Sequence, residues 1–112
     1  MNQIQVVNLI NTLSIPAFYN EAPEGTSLPF IVIHSEEPDN FSADNVVYCE
    51  KWNFRIDLYT AKKDLKLESA IKKLLNDNSI FWAKTEEYIS DQATWEVEFE
   101  FQVLGNEETE DS

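Results

Sequence analysis

Two segments of the chain alternate strictly between apolar and polar residues, which is the pattern of half-buried β-strands. In residues 95–103 every second position is apolar, and the positions between are Glu or Gln. Val46–Thr60 is the longest strand candidate, and its second half alternates in the same way. Its predicted core-facing residues are Trp52, Phe54, Ile56 and Leu58, and the opposite ones are Asn53, Arg55, Asp57 and Tyr59. Each of these strands should bury one face and leave the other uncovered.

Two other segments carry apolar residues at helical spacing. The first begins near residue 3, places Val6, Ile10 and Leu13 on one side, and should end before Pro16. The second should begin after Asp64, a candidate N-cap, and stop at the polar run 76–78. Its apolar stripe consists of Leu67, Ile71, Leu74 and Leu75.

The remaining segments are short and are predicted as strands or loops. The pattern predicts strands at Ala17–Tyr19, 30–34, 80–82 and 88–89, and polar loops at 20–27 and 36–45. The fold class that accommodates these elements is α+β: a twisted antiparallel sheet of four to five strands with two amphipathic helices packed on one face. We expect residues 1–104 to form a single domain and residues 105–112, which hold four acids, to form a disordered tail.

The charge of the chain excludes several classes of function. Lys and Arg number 8 against 21 Asp and Glu, for a net charge of -13. Sequence-independent nucleic-acid binding and docking on an anionic membrane both require the opposite balance. One Cys allows no internal disulfide, and one Cys with one His offers little for zinc. Neither a membrane span nor a signal peptide is predicted.

Candidate catalytic and metal-binding residues are few. Cys49 and His34 would support nucleophilic catalysis only if the fold brought them together in a cleft; a buried thiol and a locally satisfied imidazole are the simpler interpretation. Glu96, Glu98 and Glu100 share one strand face and could gather a hard cation such as calcium, although a solvated strand face is the simpler interpretation. In a ring they would instead line the lumen or a mating surface. The acids Asp39, Asp44 and Asp57 are interpreted as turn or surface residues. We therefore predict a protein that is not an enzyme and needs no cofactor or metal.

The order of several motifs resembles a known family. The run 28–33 is followed by the segment NFSADN at 40–45 and by IDLYT at 56–60. Lys63, Asp64 and Glu68 then open the second helix, and WEVEFEF closes the pattern at 95–101. This order, across about residues 4–104, resembles the tail terminators of long-tailed bacteriophages and prophages of Gram-positive bacteria, also called tail completion or tail-to-head joining proteins.

That resemblance implies a structural role without catalytic residues. Tail terminators assemble as a hexameric ring on the last ring of the tail tube, stop its polymerisation, and offer a surface to the head's connector. The implied partners are other copies of the chain, the tube protein and the head-tail connector, with DNA passing through the lumen unbound and with no membrane contact. The implied location is the virion tail or neck, after assembly in the host cytoplasm.

Candidate interface residues follow from this role, and two alternative functions stay open. The candidate contacts are Phe41, which is isolated in a polar stretch, Asp44 in the same stretch, and Glu96, Glu98 and Glu100. Phe41 could equally fold back on its own core. The alternatives are another connector or neck component of the same phage region, and a small acidic cytoplasmic protein that binds or inhibits a basic partner.

Overall fold

A computed structural model of the chain describes residues 3–35, 39–43 and 46–105, with side chains described except at 39–43, 46–51 and 104–105. The fold is α+β, as the sequence predicts. The helices are α1 (Gln3–Ile10) and α2 (Leu65–Asp77). The strands are β1 (Ala17–Tyr19), β2 (Phe30–Ser35), β3 (Asp39–Ala43), β4 (Val46–Thr60), β5 (Trp82–Ile89) and β6 (Thr94–Gly105), with a 3-10 turn at Ser90–Gln92. Among the described residues, no helix is long and apolar enough to cross a membrane.

One sheet contains all the described strands, in the order β1-β2-β4-β6-β5 with β3 also paired to β4. β2 and β3 lie one after the other along the same edge of β4, since Ser35 is opposite Phe54 and Asp39 is opposite Lys51. All pairings are antiparallel except that of β1 with β2. β1 runs parallel to β2 because the chain returns through residues 20–29 before entering β2 in the same direction.

Both helices cover the same face of the sheet. The register places Ile33, Ile56 and Phe99 side by side across β2, β4 and β6, and all three are at most 1% exposed. Val6 and Ile10 of α1 and Ile71 and Leu75 of α2 pack on this row and its neighbours. The alternation seen in the sequence therefore reports the side on which the core lies.

Local chemistry explains the ends of the helices. The Asp64 carboxylate accepts a hydrogen bond from the Leu67 backbone N–H (3.1 Å), which caps α2 as predicted. α1 ends at Ile10, earlier than its apolar spacing suggests. There the backbone tightens into i→i+3 hydrogen bonds, and the Thr12 hydroxyl donates to the Leu9 carbonyl. Leu13 still packs against the core from beyond the helix.

Two sequence-based assignments are wrong. The predicted polar loop 36–45 contains a strand, β3, which forms a hairpin with the first part of β4. The segment 80–89, predicted as two short strands around a turn, holds the single strand Trp82–Ile89. Its polarity concealed it, because Lys84 and Glu86 take positions on the helix-covered side, where ion pairs satisfy them. β6 extends to Gly105, and residues 106–112 of the predicted tail lie outside the described residues.

Candidate functional site

The sheet face that the helices leave uncovered, called the open face here, carries the candidate site. Its side chains form rows across β2, β4, β6 and β5, because directly paired residues point the same way. The rows are Phe30, Tyr59, Glu96 and Glu87; Val32, Asp57, Glu98 and Thr85; and His34, Arg55, Glu100 and Ala83. Phe18 of β1 extends the middle row, opposite Val32.

Asp57 lies at the centre of this face and is fully buried. The Arg55 guanidinium binds both of its oxygens, from Nε to Oδ1 at 3.0 Å and from Nη2 to Oδ2 at 3.2 Å. The Nε2 atom of His34 lies 3.1 Å from the same Oδ2. The prediction that Asp57 is a solvated surface residue is therefore wrong: its short side chain lies beneath longer neighbours, and ion pairing compensates for its burial.

Asp57 and two of its neighbours on the open face, Tyr59 and Glu96, have raised pKa values, and burial is the largest cause in each case. Burial raises the pKa of Asp57 despite the opposing effect of Arg55. Burial also raises the pKa of Glu96, aided by the nearby carboxylates of Asp57 and Glu98. The Tyr59 hydroxyl donates a hydrogen bond to Glu96 Oε2 at 2.9 Å, and burial together with this bond raises the pKa of Tyr59. The centre of the open face is thus a coupled set of ionisable groups.

The three glutamates predicted to act together have different surroundings. Glu96 and Glu98 join Asp57 in a cluster whose carboxylate oxygens lie within 4.8 Å of one another, whereas Glu100 is exposed and outside it. Glu98 also accepts a hydrogen bond from the Thr85 hydroxyl at 3.3 Å. Three carboxylates at this spacing offer oxygen ligands to a hard cation. Such a cation would have to compete with the guanidinium that already occupies Asp57.

The other sequence candidates that the structure describes lie away from this cluster. The backbone of Phe41 is in β3, opposite Cys49 and next to a β-bulge, so it does not lie in a loop as predicted. Asp44 lies outside the described residues. His34 pairs with Arg55, six residues along β4 from Cys49, a separation of roughly 20 Å at 3.3 Å per residue. The backbone register therefore does not form the Cys49–His34 pair.

Aromatic side chains on the open face were not singled out by the sequence analysis. Phe18 meets Phe30 edge-on at 6.1 Å between ring centroids, and Phe30 stacks on Tyr59 at 5.1 Å. The floor of an adjoining groove of about 480 Å³ is formed by Phe30, Val32, His34 and Tyr59. Its other lining residues are Asn20, Glu21, Ala22, Thr26, Leu28, Gln92 and Thr94. The sequence signal for this groove was that positions 30–33 are apolar on both faces of the strand.

A second groove, of about 1040 Å³, lies towards the start of β5. Ile80, Trp82 and Val103 line it together with polar residues such as Asn53 and Gln102. Phe81, at its margin, is 95% exposed. The smaller groove therefore lies on the open face, and the larger one also reaches that face at His34, Arg55 and Glu100.

Comparison with known proteins assigns no family to this chain: no family model matches it, and no curated protein sequence matches it. Its function must therefore be inferred from its own residues and their arrangement.

Proposed function

We propose that this protein is a phage virion structural protein of the tail-terminator kind, which caps the tail tube as an oligomeric ring and joins tail to head. Two lines of reasoning support the proposal. The order of motifs along the chain resembles that family, and the α+β fold has one sheet face covered by helices and one face uncovered. An uncovered face leaves a surface that neighbouring copies can use.

The observation that carries the proposal is the acidity of the open face. Glu96, Glu98 and Glu100 follow one another along β6, with Glu87 of β5 opposite Glu96. A ring through which DNA passes must not hold it, and such a stripe repels phosphate. On this proposal the stripe faces the lumen or lies at a seam between subunits.

The first experiment is a mass measurement of the purified protein across a concentration series, by native mass spectrometry with negative-stain imaging. A closed ring with a central hole is the expected result, either alone or after addition of tail tubes. A protein that stays monomeric in both conditions would contradict the proposal. If that monomer captures a basic protein, the acidic binding or inhibitor function replaces it.

A matched pair of variants tests the acidic stripe. The triple variant Glu96→Gln, Glu98→Gln, Glu100→Gln should fold but change ring assembly or tail completion. The control neutralises three exposed acids elsewhere, Glu24→Gln, Asp77→Asn and Asp91→Asn, with the same change of net charge. Equal behaviour of the two triple variants would show that the stripe has no specific role. Binding to tubes or to the head-side connector then distinguishes a terminator from another neck component.

A further inference from the structure

The open face is divided into an apolar half and an acidic half. Phe18 of β1 and Phe30 and Val32 of β2 form the apolar half. The acidic half lies along β6 and β5 and consists of Glu87, Glu96, Glu98 and Glu100. Because each half follows strands of the same sheet, the two run side by side as parallel stripes.

Among the described residues of this face, the basic side chains Arg55 and His34 already contact the Asp57 carboxylate. Arg55 is the single arginine of the chain, and both oxygens of the buried Asp57 bind it. His34 contacts the same carboxylate. The acidic stripe therefore faces outward without an equal number of cations beside it, which favours a positively charged ligand.

The spacing of the two stripes fits an α-helix. β2 and β6 flank β4, so the stripes are two strand spacings apart, about 10 Å. A helix with its side chains is also about 10 Å across. Phe30 to His34 spans about 13 Å along the groove floor, which corresponds to roughly nine residues of helix. Such a helix would lie in the groove whose floor is formed by Phe30, Val32, His34 and Tyr59.

We propose that the open face docks a basic amphipathic helix of a partner protein. Its apolar side packs on Phe18 and Phe30, which are both partly exposed, and its Lys and Arg side chains reach Glu96, Glu98 and Glu100. A second copy of this chain that turned its own open face to the first would bring two acidic stripes together, and each copy carries a net charge of -13, so a basic partner fits this face better than a face-to-face copy. The proposal goes beyond ring formation, since a single copy presents the whole docking surface.

The test uses three synthetic peptides of about four helical turns. In the first, leucines form one stripe and lysines flank it; the second has the same composition in scrambled order; the third replaces each lysine with glutamate. Each peptide carries a fluorophore, and the full-length protein is titrated into it while anisotropy is recorded. The patterned basic peptide should bind more tightly than the scrambled one, and its affinity should fall as the salt concentration rises. The glutamate peptide should not bind.

Protein variants then locate the peptide on the surface. The triple variant Glu96→Gln, Glu98→Gln, Glu100→Gln should lose about tenfold in affinity, the combined effect of three ion pairs screened by solvent. The control variant Glu24→Gln, Asp77→Asn, Asp91→Asn should change affinity less than about twofold. Phe18→Ser, on a short edge strand, should weaken binding while Phe18→Leu restores it.

Several results would overturn the docking proposal. They are no binding of the patterned peptide, equal binding of the patterned and scrambled peptides, or equal losses in the two triple variants. These readouts do not depend on ring formation. A protein that forms rings but fails the peptide tests loses only this inference, and one that binds the peptide but never forms rings loses only the proposed function.

Discussion

Glu68→Gln is a sharp test of how an ion-pair network holds α2 against the sheet. Glu68 is only 2% exposed, and its two oxygens lie 2.8 Å from Lys63 Nζ and 2.8 Å from Lys84 Nζ. Lys63 precedes α2 and Lys84 belongs to β5, so one carboxylate connects three parts of the chain. Both ammonium groups also contact Glu86. The substitution keeps the shape of the side chain and removes only its charge.

The expected loss of stability follows from this geometry. Removing one partner of a buried ion pair costs about 3–5 kcal/mol, because the opposite charge is left uncompensated. Here the two lysines are partly exposed and retain Glu86, so we expect the lower end, about 3 kcal/mol. For a domain of this size that corresponds to a fall in melting temperature of roughly 15 °C.

The pH dependence adds a second signature. Burial opposes ionisation of Glu68, but its ion pairs with Lys63 and Lys84 outweigh this effect and lower its pKa. A carboxyl whose pKa is lower in the folded state stabilises the protein above the unfolded pKa, about 4.3, and this stabilisation is lost as pH falls through the folded pKa. The gap between wild type and Glu68→Gln should therefore be complete at pH 7 and shrink at strongly acidic pH.

Urea unfolding at pH 7 measures the free energy of unfolding that Glu68→Gln loses. Repeating the measurement on the acid side of the isoelectric point tests the pH dependence. Glu87→Gln, an exposed acid on β5, is the matched control and should unfold like the wild type. A double-mutant cycle with Lys84→Met should show strong coupling, because the second substitution removes one of the two ammonium groups that lose Glu68 as a partner. A loss below about 1 kcal/mol, or a gap that widens as pH falls, would refute the reasoning.

Three further predictions concern other parts of the fold. Phe99→Ala should cost about 3–5 kcal/mol in urea unfolding, because Phe99 is fully buried between the helices and the sheet; a smaller cost would mean that the core collapses into the space. Asp64→Ala should cost about 1 kcal/mol through loss of the α2 cap, whereas Asp77→Ala at the other end should cost less in the same denaturation assay. Glu96→Gln should stabilise the protein at pH 7.5, because the raised pKa of Glu96 means that its ionised form is less favourable in the folded state than in the unfolded state. Thermal unfolding should show this gain disappearing as pH falls below the unfolded pKa, about 4.3, and a gain that persists there would contradict the assignment.

The elements that were predicted well are those whose signal is local. β4 and β6 alternate apolar and polar residues, and this period of two assigns one face to the core whatever the strands pair with. α2 shows both its apolar stripe and its N-cap within a few residues of sequence. β5 was misjudged because the residues that satisfy Lys84 and Glu86 lie on other elements, so its inward positions look like those of a polar turn.

The candidate site shows the same division. The sequence by itself determined that Asp57, Glu96, Glu98 and Glu100 point away from the core, since strand alternation decides the side on which a residue lies. Only the tertiary structure decided that Asp57 is buried beneath Arg55 and His34, and that it meets Glu96 and Glu98 while Glu100 stays apart. The physical reason is register: which residues meet across a sheet depends on how strands distant in sequence align, and no single strand carries that information.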